Sequence, residues 1–294
     1  MTDRPVVRPA ATLVLLDERN DALRLYLMRR SQRTSFMANV CVYPGGAVDS
    51  VDADVAAADC CVWTRDEWRD AELRTHAIAS IRESFEEVGV LLASRDGLPW
   101  SPDERERDTF LKLRRAVHDQ QKTMLDVARE LDLRFELDDL VYFDRWVTPA
   151  FESKRFDARF FLARAPERQR ATVDAVEATD GQWMTCSEAL QRYRAGQIIL
   201  APPTWATLVD LERFTTMDAL VAWARARQPI PVLPHFTKVD GEMTILLPGH
   251  PAYPQGELFA GLPLQFEVPT APERTEIVLR DGLWCDRSRV AAPA

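Results

Sequence analysis

Residues 82–90 read Arg82-Glu83-Ser84-Phe85-Glu86-Glu87-Val88-Gly89-Val90. Laid on a helix, Glu83, Glu86 and Glu87 fall at i, i+3 and i+4, so their carboxylates share one face. At about 100° per residue, Ile78, Ile81, Phe85 and Val88 line the opposite side as an apolar stripe. One face is thus built to be buried, and the other gathers negative charge. A like-charge pair at i,i+4 costs roughly 0.2–0.5 kcal/mol. Arg82 offsets part of this from its i,i+4 position to Glu86, and a hard divalent cation would offset far more, because Mg²⁺ and Mn²⁺ prefer carboxylate oxygens. Gly89 supplies a residue able to turn left-handed where the helix stops. Taken alone, the stretch also suits an ordinary surface helix with a solvated acidic face.

Working outward, Tyr43-Pro44-Gly45-Gly46 stands upstream, and glycines there let a backbone approach a ligand or ion closely. Together the two stretches resemble the signature of the Nudix hydrolases, G-x5-E-x7-R-E-U-x-E-E-x-G-U with U apolar. Gly46 matches its first glycine, and Arg82, Glu83, Glu86, Glu87, Gly89 and Val90 match its second half. The sequence departs from the pattern in three places. The first glutamate falls at Asp52, 29 residues lie between Asp52 and Arg82 in place of x7, and Ser84 holds the first apolar position. A box split in this way resembles the coenzyme A and acyl-CoA diphosphatase branch.

The resemblance implies an α/β fold, an α/β/α sandwich on a mixed sheet with an insertion inside the box and a helical C-terminal extension. It implies Mg²⁺ or Mn²⁺ held by Glu83, Glu86, Glu87 and the backbone carbonyl of Gly46. Glu83 and Glu87 would also serve the chemistry, with Arg82 keeping the carboxylates in register. Glu177, six residues before Trp183, has the spacing of a loop glutamate that in many such enzymes reaches back to the metal. The basic run Arg29, Arg30, Ser31, Arg33 reads either as a solvated strand end or as phosphate contacts. Arg30, Arg33 and Arg155 are the substrate-binding candidates.

Composition bounds the rest. The 294 residues allow a substantial core, with 46% hydrophobic and 28% charged residues, as in ordinary globular proteins. A net charge of −9 argues against a nucleic-acid-coating surface. No apolar run nears the ~20 residues needed to span a bilayer, and the polar N-terminus lacks a secretory pattern. Five cysteines without C-x-x-C spacing read as reduced thiols. The expectation is a cytoplasmic enzyme with a small nucleotide substrate, no nucleic-acid or membrane partner, and a homodimer among the assemblies open to it.

In chain order, 9–17 and 23–29 read as a hairpin. Residues 50–76 form an insertion with two helical halves, anchored by Trp63 and Trp68. Residues 103–131 read as one long amphipathic helix carrying His118 as a lone surface histidine, within a second insertion at about 101–135. Residues 140–148 and 155–163 read as paired strands whose connecting loop carries Glu152 and Lys154. The Nudix domain spans 5–186 on this reading. The remainder, 187–294, is a helical and loop-rich extension, with helices from Ser187 and over 204–227, strand-like runs at 243–247 and 275–279, and His250 as a pocket candidate. The expected reaction is metal-dependent hydrolysis of a phosphoanhydride in coenzyme A or acyl-CoA, giving 3′,5′-ADP and (acyl-)phosphopantetheine. The alternatives are ADP-ribose, NADH or an NDP-sugar as substrate, or a silent nucleotide-sensing module.

Overall fold

The structure, a computed structural model, describes residues 6–19, 22–31, 38–174, 178–254 and 274–286. The chain opens with β1 (Val7–Arg19), β2 (Ala22–Arg30), β3 (Val40–Val42) and β4 (Gly45–Ala47). Then come α1 (Ser50–Ala56), β5 (Cys61–Val62) and the long helix α2 (Ala71–Val88). A hairpin of β6 (Ser94–Arg95) and β7 (Leu98–Pro99) leads to α3 (Arg107–His118), α4 (Met124–Leu131) and β8 (Phe135–Glu136), which pairs with β5. Next are β9 (Val141–Val147), β10 (Arg155–Arg164), β11 (Ala178–Met184), α5 (Cys186–Arg194), β12 (Ile199–Leu200), α6 (Pro202–Leu211), α7 (Met217–Arg225) and β13 (Pro231–Val232). A last group comprises β14 (His235–Val239), β15 (Glu242–Leu246), β16 (Glu276–Arg280) and β17 (Leu283–Cys285).

The main sheet runs β12-β3-β2-β1-β10-β9-β13, with β11 on β2 and β4 on β1. It is mixed: β1 lies parallel to β10, and antiparallel to β2 and β4. Period-two alternation along β1 explains the layering, since successive side chains point to opposite faces. Leu13 and Leu15 pack with Ile78, Ile81, Phe85 and Val88 of α2, while Val14 and Leu16 pack with Leu190, Leu208 and Leu220 of α5, α6 and α7. The result is the expected α/β/α sandwich.

Several elements differ from the sequence reading. The second half of the first insertion is a short 3₁₀ turn (Asp66–Arg69) before α2, because Asp70 caps α2 by accepting from the Glu72 and Leu73 amides at 2.8 and 3.2 Å. Trp68 is fully buried, whereas Trp63 is 37% exposed beneath the Arg74 guanidinium, so only Trp68 anchors the insertion. The stretch 103–131 is two helices. Gln120 takes φ 56°, and Thr123 opens α4 with a capping box to Asp126, a Thr-x-x-Asp cue legible in the sequence. Helix 204–227 likewise divides into α6 and α7 at the Thr216 cap, and α5 is capped by Thr185, two residues before Ser187.

The segment after 186 is more than helical. Its β12 and β13 extend both ends of the main sheet, and β14 to β17 form a four-stranded antiparallel sheet whose Phe236 and Trp284 pack on the second core. The strand-like runs at 243–247 and 275–279 are β15 and β16.

Candidate active site

The site is assembled around α2. Its apolar stripe fixes the helix on the sheet, which aims the opposite face at the Pro44-Gly45-Gly46 turn. That turn is pinned by the Leu13 amide, which donates to the Pro44 carbonyl at 2.8 Å, and by the pairing of β4 along β1. Gly89, at φ 66°, ends the helix in the left-handed conformation, with its amide donating to the Phe85 carbonyl. Ser84 is wholly buried and its hydroxyl donates to the Val90 carbonyl at 2.9 Å, closing the same end. The departure at Ser84 is therefore a second cap, and no carboxylate is lost through it.

Arg82 is the hub. Its Nε and Nη2 grip both oxygens of Asp52 at 2.9 and 3.0 Å, and Nη2 also reaches the Ala47 carbonyl at 2.8 Å. Nη1 meets Glu83 at 2.9 Å and Glu86 at 3.1 Å. Burial opposes a charge on this guanidinium, yet the hydrogen bonds to Asp52 and the charges of Glu83 and Glu86 outweigh it and raise its pKa. Asp52 is fully buried within the capping box of α1, where the shorter carboxylate folds back on the Asp49 amide at 2.8 Å. The insertion thus reaches the site through the Asp52–Arg82 ion pair and through Ser50 and Val51, which line the cavity beside it.

Glu83 and Glu86 are each 13% exposed. Burial pushes the Glu86 carboxyl above its ordinary range, against the lowering by Arg82 and His118. Glu87 is buried and accepts the Gly45 amide at 2.8 Å. A Cβ at Gly46 would lie 2.4 Å from Glu83 Oε1, so the glycine is what admits that carboxylate beside the backbone. His118 Nδ1 stands 4.0 Å from Glu86 Oε2, brought there by α3, whose Arg114 holds the Glu86 carbonyl at 3.0 Å.

These groups open on a cavity of about 1290 Å³ lined by Gly45, Gly46, Arg82, Glu83, Glu86 and His118 at its polar end. Arg30 also lines it, as do Glu152 and Lys154. Glu87 lies just behind this wall. Arg155 does not line it, being buried in β10 with its Nε donating to the Thr148 carbonyl at 3.0 Å. Period-two geometry explains this, since Phe156, Ala158 and Phe160 take the cavity side of the strand. His250 lies away from the cavity, its Nδ1 accepting the Ala252 amide. Arg33 and Glu177 lie outside the described residues. His118, read as a surface histidine, was missed because its helix end reaches the site only through tertiary packing; its one cue was adjacency to the buried Val117.

Among the described residues, no three His, Cys, Asp or Glu side chains converge as a preformed ion cage. Glu83 and Glu86 instead share Arg82, and Glu87 faces Gly45. The donor chemistry still fits a hard divalent ion: three glutamates on one helix face, a glycine backbone beside them, and a buried Glu86 carboxyl whose anion calls for a nearby cation.

Comparison with known proteins decides the family. The family model described as the NUDT19 Nudix domain matches residues 69–213. The crystal structure of a Nudix hydrolase from Alicyclobacillus acidocaldarius superposes with a TM-score of 0.60 at 26% identity, covering 74% of this chain and 96% of that one. The chain belongs to the Nudix hydrolase superfamily. Relatives of this Nudix chain include the acyl-coenzyme A diphosphatase NUDT19 of Homo sapiens, 26% identical over 312 residues (89% of this chain, 79% of that protein). The Xenopus laevis protein of the same name is 23% identical over 294 residues (85% and 77%). Putative nudix hydrolase 7 of Caenorhabditis elegans is 27% identical over 246 residues (84% and 74%).

Proposed function

We propose that this Nudix chain hydrolyses the phosphoanhydride of coenzyme A or acyl-CoA, releasing 3′,5′-ADP and (acyl-)phosphopantetheine. The observation that carries the reading is the α2 acidic face held against Gly45-Gly46 by the buried Asp52–Arg82 pair at the mouth of a cavity large enough for a nucleotide conjugate. The relatives named as acyl-coenzyme A diphosphatases support the substrate class.

Glu83, Glu86, Glu87 and the Gly46 carbonyl would hold Mg²⁺ or Mn²⁺. When bound, the ion supplies neutralisation of the diphosphate oxygens and acidification of a water. The chain's own residues do the rest. Arg82 spaces the carboxylates, Glu83 or Glu87 accepts the proton of the attacking water, and Arg30 faces the substrate's phosphates. Among the described residues no helix is long and apolar enough to cross a membrane, and none of the five cysteines is joined in a disulfide. A reducing, cytoplasmic setting suits them.

The test is release of 3′,5′-ADP from coenzyme A and an acyl-CoA with Mg²⁺ or Mn²⁺, alongside ADP-ribose, NADH and dNTP. Turnover of the CoA compounds that vanishes in Glu87→Gln is the expected result. Turnover of a control alone would discard the substrate, and none at all would favour a sensing module.

A further inference from the structure

The cavity reaches both faces of the sheet beside β4. On the α2 side it takes in Ala11, Gly46 and the carboxylates; on the other it takes in Ala10, Thr12 and the β10 side chains that alternate onto that face. Strand register there produces a row. Ala47 pairs with Ala10, Ala10 with Ala158, and Ala158 with Trp146. Directly paired residues share a face, so four neighbouring strands present three methyl groups in line, ending at an indole. At the usual strand spacing the row is about 14 Å long. It begins at Ala47, whose carbonyl is held by Arg82, and so at the acidic centre.

The far end of the row is walled by aromatic rings from outside the first 186 residues. Phe236 of β14 meets Phe151 edge-on at 5.1 Å and Trp284 of β17 at 6.4 Å, and all three line the cavity. Phe151 is 66% exposed, so most of its ring beyond the Phe236 contact is open to a bound chain. On the opposite side, toward β2 and β3, the lining cation is Arg30, whose buried Nε has no hydrogen-bond partner.

The geometry points to a substrate orientation and an acyl subsite: with the diphosphate at α2, the 3′-phosphoadenosine lies toward Arg30 and the acyl-pantetheine arm runs along the Ala47–Ala10–Ala158 row. Its acyl end lies among Trp146, Phe151, Phe236 and Trp284. Charge decides the direction. A 3′-phosphate needs a cation with a donor to spare and finds Arg30, whereas the lining amines of Lys122 and Lys154 already have partners. A floor of methyl groups and ring edges rewards methylenes leaving water, each worth roughly fourfold in binding. The C-terminal sheet is then a specificity element for chain length. This inference rests on the coenzyme A reading.

The experiment compares kcat/KM for free coenzyme A, hexanoyl-CoA and dodecanoyl-CoA with Mg²⁺ in the full-length wild type, Ala158→Phe and Phe151→Ala, with equilibrium binding of the same series in EDTA. In the wild type the value rises with chain length. Ala158→Phe fills the row and lowers the dodecanoyl-to-free ratio at least tenfold; Phe151→Ala, at an exposed position that leaves the fold intact, lowers it about threefold. Binding without metal follows the same ratios, separating a lost subsite from lost chemistry. A parallel fall for all three substrates would place a shared part of the molecule on the row and overturn the proposal, as would flat dependence on chain length or unchanged ratios in both variants. If the wild type turns over no coenzyme A compound at all, the coenzyme A reading itself has failed.

Discussion

Gly45 and Gly46 are neighbours with different reasons to be glycine. A Cβ at Gly45 would lie 2.5 Å from the Ala11 carbonyl and 2.9 Å from Thr12 Cα, both backbone atoms. At Gly46 its three nearest contacts would all be atoms of the Glu83 carboxylate, the end of a flexible chain. Gly45→Ala is therefore expected to cost about 1–3 kcal/mol of stability. Gly46→Ala should keep its urea midpoint near that of the wild type, yet lose at least tenfold in turnover as Glu83 is displaced. Asp52 carries a different load. Asp52→Asn leaves the Arg82 guanidinium buried without its main counter-charge, and about 3 kcal/mol should be lost in chemical denaturation, together with activity. Asp144 on β9 accepts the Trp146 indole N–H at 2.8 Å, and burial lifts its pKa from 3.8 to about 6 despite that bond and the Arg227 charge. Its folded pKa lies above its unfolded one, so its contribution to stability is complete below about pH 4 and is lost as pH rises toward 6. Asp144→Asn should match the wild type at pH 4 and exceed it above pH 6 by at most about 3 kcal/mol, read from urea midpoints across pH.

At the scale of elements, α2 carries both the core stripe and the chemistry, so its ends matter as much as its face. Gly89→Ala would force a side chain into the left-handed region at φ 66° and place its Cβ 2.6 Å from Arg114 Nη1. A loss of about 1 kcal/mol is expected, visible as a lower Tm. Arg114 also holds the Glu86 carbonyl, so the same variant should weaken activity more than its stability loss explains. The acidic face and the glycine stop of α2 were legible because helical periodicity is a local property. The breaks at Gln120 and Thr216 were harder to see, since amphipathic spacing runs on across both and only short capping cues mark them.

For the whole molecule, the second core joins the sheet to α5, α6 and α7, with Phe236 and Trp284 packed against it. Val14, Leu16, Leu25, Leu27 and Leu162 have their cover there. A fragment ending at residue 186 would expose that face to water, and at roughly 1.5–3 kcal/mol per buried aliphatic side chain it should not fold. Circular dichroism and urea titration of the fragment should show no cooperative transition; a sharp one would mean the extension is dispensable.

What the sequence determined by itself was the chemistry of one helix and the class of fold around it. Glu83, Glu86, Glu87, Arg82 and Gly89 stand within a few residues of one another, so their arrangement follows from helical geometry alone. The apolar run over residues 9–17 likewise announced a buried strand. Tertiary structure decided everything that depends on which distant segments meet. It joined Asp52 to Arg82 across the insertion, turned Ser84 into a cap, and brought His118 to Glu86. It also directed Arg155 away from the cavity and set the methyl row in register with a C-terminal aromatic wall. The physical reason is separation along the chain: local spacing fixes which face a side chain takes on its own element, while the partner across that face is chosen by the packing of the whole.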